Sequence, residues 1–311
     1  MKIIQLILSC LTLTSFFSCQ NHSSSPDNDY DVSVKEPKLI GQKTRVYFDQ
    51  GHKNHHQIDW TYKPFATLLT NDGCIVKSNN KLIEKTILSQ TDIYVVATAT
   101  GKEEPGEKSA FTESEINNLE EWVKNGGSAL IVTEHYPFGL SMAALLKKFG
   151  VTIHNGYTED STLTNKRVGD ALLFEKEKGN LNSNHPITSN INRINTFTGS
   201  SVKGDSTWTK LLILSDKALN YNVNVIVKRD GGDTNVSISY ADSYPATGYA
   251  QGICKSYGKG KVVVLAESAL LTAQIDKNGN KFGMNITDTD NKEFTLNIFR
   301  WLADNRVDKN L

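Results

Sequence analysis

The chain has 311 residues, 34 basic and 34 acidic side chains for a formal net charge of zero, and 38% apolar residues. That balance excludes the basic face that nucleic acid or an anionic membrane surface calls for. Length and apolar content suffice for one large α/β domain or two small ones.

The opening stretch, "MKIIQLILSCLTLTSFFSC", has one early lysine, an apolar run, and small or polar residues before Cys19, which is the pattern of a secretory signal peptide. "FFSC" also fits a bacterial lipoprotein cleavage site, with Phe in place of the usual Leu and Cys19 as the lipidated residue. Residues 1–18 therefore read as a signal peptide. Residues 19–41 are polar, carry two prolines and read as a disordered tether. The protein is expected to be lipid-anchored at the cell membrane or outer membrane, facing the periplasm or the surface, with more than one acyl chain because one binds only marginally. Past Cys19 only Cys74 and Cys254 remain, each in an apolar, strand-like setting, as one disulfide or as two buried thiols. No later run is long and apolar enough to span a bilayer.

Residues 42–311 read as one domain. "TRVYFD" (44–49) is a short strand, and "TYKPFATLLTNDG" (61–73) a helix with Pro64 in its first turn and Gly73 ending it. "CIVKSN" and "TDIYVVATA" (91–99) are strands. "FTESEINNLEEWVKNGG" is the clearest helix: Thr112 caps it, Glu115 completes a capping box, and Ile116, Leu119 and Val123 form the apolar stripe. "SALIVTEH" (128–135) is a buried strand, "LSMAALLKKFG" a helix, and "VTIHNG" the start of an extended segment. From about 160 to 250, short runs such as "KLLILS" and "NVIVKRD" read as a β-rich insertion or an antiparallel extension. "GKGKVVVLAESALL" (258–271) returns to a buried strand, and "NKEFTLNIFRWLADN" (291–305) is a final amphipathic helix with Asp290–Asn291 at its cap. This alternation predicts a doubly wound, mostly parallel sheet covered on both faces.

In such sheets ligands bind beyond the carboxyl ends of the strands. Three polar segments fall there: Asp49, His52, Asn54 and His55 after the first strand, Glu134 and His135 after 128–133, and Glu267, Ser268 and Gln274 after 261–265, followed by "FGMN" with Asn285. His56 reads as a surface residue, and His154 as an edge histidine. Tyr62 and Trp60 read as packing or as a platform for a sugar ring, and His185 in "NSNHPIT" as a turn cap or a site residue. His52 and His55 with His135 and Glu134 or Glu267 offer metal ligands. HExxH, CxxC and facial-triad spacings are all absent, so no cofactor is expected and a divalent metal is the weaker alternative. There is no G-x-S-x-G elbow, and Glu-His stands where a nucleophile would follow the strand 128–133.

These residues resemble a known family. "FDQGHKNHHQIDWTYKPFATLLTNDG", "AFTESEINNLEEWVKNGGSALIVTEHYPFG", "NHPIT" with "TFTGSS", and "VVVLAESALLTAQ…FGMN…DNKEFTLNIFRWLA" are similar to the glutamine-amidotransferase-like domain of unknown function found in secreted and lipid-anchored proteins of glycan-degrading bacteria. The resemblance implies a class I amidotransferase-like, flavodoxin-like sheet without the nucleophilic cysteine, so glutamine hydrolysis is not expected. It also implies that His52, Asn54, His55, Tyr62, Glu134, His135, Glu267 and Gln274 line one pocket. By association it points to a lyase (an oligosaccharide dehydratase) that eliminates water across C4–C5 of terminal uronic acids on polysaccharide-derived oligosaccharides, alongside other glycan-degrading enzymes. His52 and His55, with His135 and Glu134 opposite and Tyr62 as a further acid, would move the protons. Asn54, Glu267, Gln274, Asn285 and His185 would bind substrate. The other reading is a non-catalytic surface lipoprotein that binds glycan or a partner.

Overall fold

In a computed structural model, residues 24–101, 108–164, 171–230 and 233–304 are described. The signal peptide and Cys19 lie outside them.

The buried apolar runs form strands where they were expected. β1 (Arg45–Asp49), α1 (Lys63–Asn71), β2 (Ile75–Asn79), β3 (Ile93–Ala97), α2 (Glu113–Lys124), β4 (Ser128–Val132) and α3 (Phe138–Lys148) follow in order. The middle of the chain supplies β5 (Thr152–Ile153), β6 (Tyr157–Glu159), β7 (Leu173–Glu175), β8 (Arg193–Asn195), β9 (Val202–Lys203), β10 (Thr209–Ile213), β11 (Leu219–Asp230) and β12 (Asp233–Pro245). β13 (Ala250–Tyr257), β14 (Gly260–Leu265), β15 (Ala273–Ile275), β16 (Lys281–Gly283) and α4 (Asn291–Ala303) complete it.

The main sheet has the order β2-β1-β3-β4-β14-β13-β9-β5, with β10 also on β13. The five strands from β2 to β14 are mutually parallel, and β13, β9, β5 and β10 add an antiparallel extension. The molecule is thus a mixed α/β protein with a parallel central sheet. Every residue of β3 and β4 is buried, because alternate side chains enter opposite layers. Val95, Ala97, Leu130 and Val132 meet Phe65 of α1 and Phe294, Ile298 and Phe299 of α4. Tyr94, Val96, Ala129 and Ile131 meet Ile116 and Leu119 of α2 and Met142 and Leu145 of α3.

The β-rich region divides. β9 and β10 join the main sheet, whereas β11 and β12 form a long hairpin whose one further strand pairing among the described residues is with β6, at Leu219–Tyr221. Cys74 and Cys254 are buried and not joined in a disulfide. Among the described residues no helix is long and apolar enough to cross a membrane.

The tether expectation needs correction. From Ser24 on, residues assigned to a disordered stalk lie against the domain. Ser25–Pro26 pairs antiparallel with β15, Tyr30, Val32 and Val34 pack on the core, and Leu39 is buried in it. The alternation Tyr30–Val32–Val34 is a period-two apolar signal that the surrounding polar composition masks. Gly73 lets this strap pass: its φ is +108°, and a Cβ there would stand 2.4 Å from the Ile40 nitrogen.

Candidate functional site

The segments after β1, β4 and β14 meet at the carboxyl end of the parallel strands, but not as one open pocket. They form two buried networks and a pair of imidazoles, one exposed and one half-buried.

The first network is built on Asp49, the last residue of β1. His52 Nδ1 lies 2.9 Å from Asp49 Oδ1, and His52 Nε2 lies 2.8 Å from Glu115 Oε1. Glu115 completes the expected capping box with Thr112. It also accepts from the Ile83 amide at 3.0 Å, so one carboxylate joins three segments. Burial alone would lower the His52 pKa, but the Asp49 hydrogen bond and charge, reinforced by Glu115, hold it above the ordinary histidine value. Burial likewise opposes ionisation of Glu115, yet the Ile83 and Thr112 donors and His52 keep its pKa low. Asn54 faces the same network, donating to Asp49 Oδ2 at 2.9 Å and to the Ala97 carbonyl at 3.0 Å while accepting from the His52 amide. His52 and Asn54 are therefore braces with both ends engaged, not a proton-transfer group and a substrate ligand.

The second network surrounds Ser268. His56, expected on the surface, is buried, with Nδ1 2.7 Å from Thr61 Oγ1 and Nε2 3.0 Å from Ser268 Oγ. Ser268 Oγ and its amide each lie 3.1 Å from Glu134 Oε2, and Glu134 Oε1 accepts from the His135 amide at 3.0 Å. An ionised carboxylate only accepts. Ser268 Oγ donates to Glu134 and so accepts from His56 Nε2–H, and a neutral His56 then accepts from Thr61 at Nδ1. Burial agrees, holding the His56 pKa well below its ordinary value.

Tyr62 lies beneath, fully buried, its hydroxyl donating to the Ser268 carbonyl at 2.9 Å. Burial, with the Glu267 and Glu134 charges, raises its pKa well above the usual phenol value, so it is a core residue rather than an accessible acid. Glu267 is fully buried and accepts from the Ala269 and Leu270 amides at 2.8 Å each. Burial and the Glu134 charge push its pKa well up against those donors. Gly199, at φ +113°, makes room for it: a Cβ there would sit 2.8 Å from Glu267 Cγ.

Two imidazoles remain. His55 is exposed and edges onto His56 and Phe138, with ring centroids 4.9 and 5.6 Å away. Surrounding protein still holds its pKa below the ordinary value, with Glu134 pulling it up and His135 pushing it down. His135 is half-buried, and its Nδ1 contacts the Tyr136 carbonyl at 2.7 Å. Among the described residues neither the His55 ring nor His135 Nε2 has a hydrogen-bond partner. Trp60, in the same loop as His55, is 52% exposed.

The other expected site residues lie elsewhere. Gln274 accepts from Ser24 Oγ at 2.8 Å and donates to Thr272 Oγ1, and Asn285 donates to Asp27 Oδ2 at 2.9 Å, so the N-terminal strap occupies both. His185 lies toward the opposite end of the sheet, 3.4 Å from Cys254 Sγ and with its ring 5.1 Å from that of Trp301 in the last turn of α4, whose Leu302 carbonyl accepts from Ser128 at the start of β4. Among the described residues no group of three or more His, Cys, Asp or Glu side chains is arranged to hold a metal ion. Ser268 and His56 were missed as partners because nothing in the sequence links a loop histidine to a serine 212 positions away.

The fold and site define a class: a mixed α/β protein whose parallel-strand ends carry clustered histidine and glutamate side chains and, among the described residues, no cysteine. Residues 105–298 match the family described as an ABC-type uncharacterized transport system, ABC_transp_aux, and the chain belongs to that family. No curated protein matches it. Among solved structures, the mmIFT52 N-terminal domain is similar in fold at 13% identity, covering 83% of this chain and 97% of that one with a TM-score of 0.58. A protein described as ThuA-like from Bacteroides uniformis ATCC 8492 aligns at 14% identity over 86% and 93% of the two chains, with a TM-score of 0.43. Cytoplasmic protein STM3548 from Salmonella typhimurium aligns at 10% identity over 83% and 98%, with a TM-score of 0.44.

Proposed function

We propose that this chain is a lipid-anchored, carbohydrate-acting lyase that eliminates water from terminal uronic acids of oligosaccharides. It uses a glutamine-amidotransferase-like, doubly wound sheet from which the amidotransferase cysteine is missing. The strand order β2-β1-β3-β4-β14 supports the flavodoxin-like part of that reading. The single observation that supports the reaction is that His55, after β1, and His135, after β4, come from different strand ends and, among the described residues, leave the His55 ring and His135 Nε2 without a hydrogen-bond partner.

The roles follow from their surroundings. His55, with its lowered pKa, is neutral near pH 7 and takes the C5 proton. The C5–H electrons form the C4–C5 double bond, and the C4–O bond breaks. His135, its Nδ1–H held by the Tyr136 carbonyl, delivers a proton from Nε2 so that the hydroxyl leaves as water. Glu134, fixed by Ser268, has its charge felt at His55 and favours the imidazolium that forms there as the proton is taken. Trp60 offers an apolar surface for the sugar ring.

The competing reading is a glycan- or partner-binding lipoprotein. It is favoured by the fact that most polar groups of the crevice are committed to one another. Purified protein incubated with uronic-acid oligosaccharides distinguishes the two. A product lighter by one water, absorbing at the short ultraviolet wavelengths where conjugated enol-uronates do and absent in His55→Ala, is the lyase outcome. Binding without any new product sinks the lyase reading and leaves the binding module.

A further inference from the structure

The N-terminal strap has a direction. Ser24 lies at the crevice end of the parallel strands. Its Oγ donates to Gln274 at 2.8 Å, Gln274 donates to Thr272 Oγ1 at 2.8 Å, and Thr272 Oγ1 donates at 2.7 Å to the carbonyl of Ala269, the residue after Ser268. From there the strap runs along α1 and α4 to the opposite end of the sheet. Lys63, at the start of α1, donates to Asn28 Oδ1 at 3.3 Å, and Lys292, at the start of α4, donates to the Asp31 carbonyl at 2.6 Å. Asn71, at the end of α1, donates to the Val32 carbonyl at 2.8 Å. Asp72 accepts from the Lys38 amide at 2.9 Å and from Arg300, in the last turn of α4, at 3.0 Å.

The outer end of the strap is held firmly. Asp27 is buried, accepts from Asn285 at 2.9 Å and lies 3.3 Å from Lys281 Nζ, while its amide donates to the Ala273 carbonyl at 2.9 Å. These residues therefore add no slack to a tether. Cys19, the expected lipidation site, is five residues before Ser24. Five residues reach at most about 17 Å when fully extended. The opposite end of the sheet, where Leu39 meets Asp72, stands a domain's depth further away.

We infer that the crevice end of the domain faces the bilayer that holds its own lipid anchor, within about 17 Å of it at the strap. The interaction surface is the set of strand-end loops, and the partner is the lipid headgroup surface. A substrate then reaches the crevice through the gap between domain and membrane. The inference rests on the lipid-anchor reading above and is independent of the reaction assigned to the crevice.

Energy transfer to the membrane tests it. A donor dye is attached to Gln57→Cys, in the loop of His55, or to Lys259→Cys, in the turn before β14 at the other end of the sheet. Both positions are exposed, and the buried Cys74 and Cys254 leave the introduced thiol as the reactive one. The full lipidated chain is reconstituted in phosphatidylcholine vesicles with rhodamine-labelled headgroups, and the mass of its amino-terminal peptide reports whether Cys19 is acylated.

Transfer from position 57 should exceed that from position 259 at least about twofold, given the extra depth spanned by the strap. An insert of about 30 Gly/Ser residues between Cys19 and Ser24, with an end-to-end distance of roughly 30 Å, should shrink the difference. A chain whose Cys19 carries no lipid overturns the anchor reading and this inference with it. Equal or reversed transfer from an acylated chain overturns the orientation alone. A difference that the insert leaves unchanged overturns it too, because the short tether is then not what orients the domain.

Discussion

Replacing His52 with alanine should destabilise the fold strongly, and in a pH-dependent way. His52 is 4% exposed and bridges two carboxylates, Asp49 and Glu115, at 2.9 and 2.8 Å. Removing one partner of a buried ion pair typically costs about 3–5 kcal/mol, because a charge is left uncompensated. Here two carboxylates lose the same cation, although Asn54, Tyr94, Thr112 and the Ile83 amide still serve them. The lower end, about 3 kcal/mol, is therefore the expected loss.

The His52 pKa is raised in the folded state. Its stabilisation is thus complete below the unfolded value of about 6.5 and lost as pH rises through the folded value, at no more than about 1.4 kcal/mol per pH unit. Urea unfolding at pH 6 and pH 8.5 measures both effects. The unmodified chain should lose stability between the two, and His52→Ala should lose markedly less. A variant within about 1 kcal/mol of the parent at pH 6, or one with the same pH slope, would refute the brace.

Further expectations concern other parts of the molecule. His55→Ala should leave the unfolding midpoint unchanged, because the side chain is exposed, while lowering the proposed elimination by roughly 10²–10⁴-fold in a single-turnover assay. Gly199→Ala should cost about 1–3 kcal/mol, from the positive φ and the approach to Glu267, read as a lower melting temperature. Glu115→Gln should destabilise most near neutral pH and least in acid. The Glu115 pKa is lowered in the folded state, so its contribution is present above the unfolded value near 4.3 and fades as pH falls through the folded one; midpoints at pH 4 and pH 7 check this. Removing residues 24–41 should expose Leu39 and the faces beneath Tyr30, Val32 and Val34, and limited proteolysis should then cut the domain faster.

The parts of this picture that were legible in the sequence were local ones. The capping box at Thr112 and Glu115, the buried strands and the final helix all follow from spacings within a few residues. Convergence of three strand ends also followed from the alternation of elements. What spacing could not reveal was which polar group would find which partner. Glu115 was readable as a cap, but its bond to His52 joins positions 63 apart. Trp60 and Tyr62 are two residues apart and of one chemical kind, yet one is exposed and the other fully buried. Asp290 stands at the expected cap position, but its carboxylate accepts from the Asn192 and Arg193 amides instead of closing the helix. A capping residue can be claimed by a distant strand, and the helix then begins without it.

The hairpin of β11 and β12 carries a consequence of its own. Beyond Tyr221 its two strands pair only with each other among the described residues, so the amides and carbonyls along both flanks have no sheet neighbour. Such flanks accept any extended chain of matching direction. Concentrated preparations should therefore tend to associate through this ribbon, and a lysine placed on one flank is the natural way to keep the protein dispersed without touching either end of the central sheet.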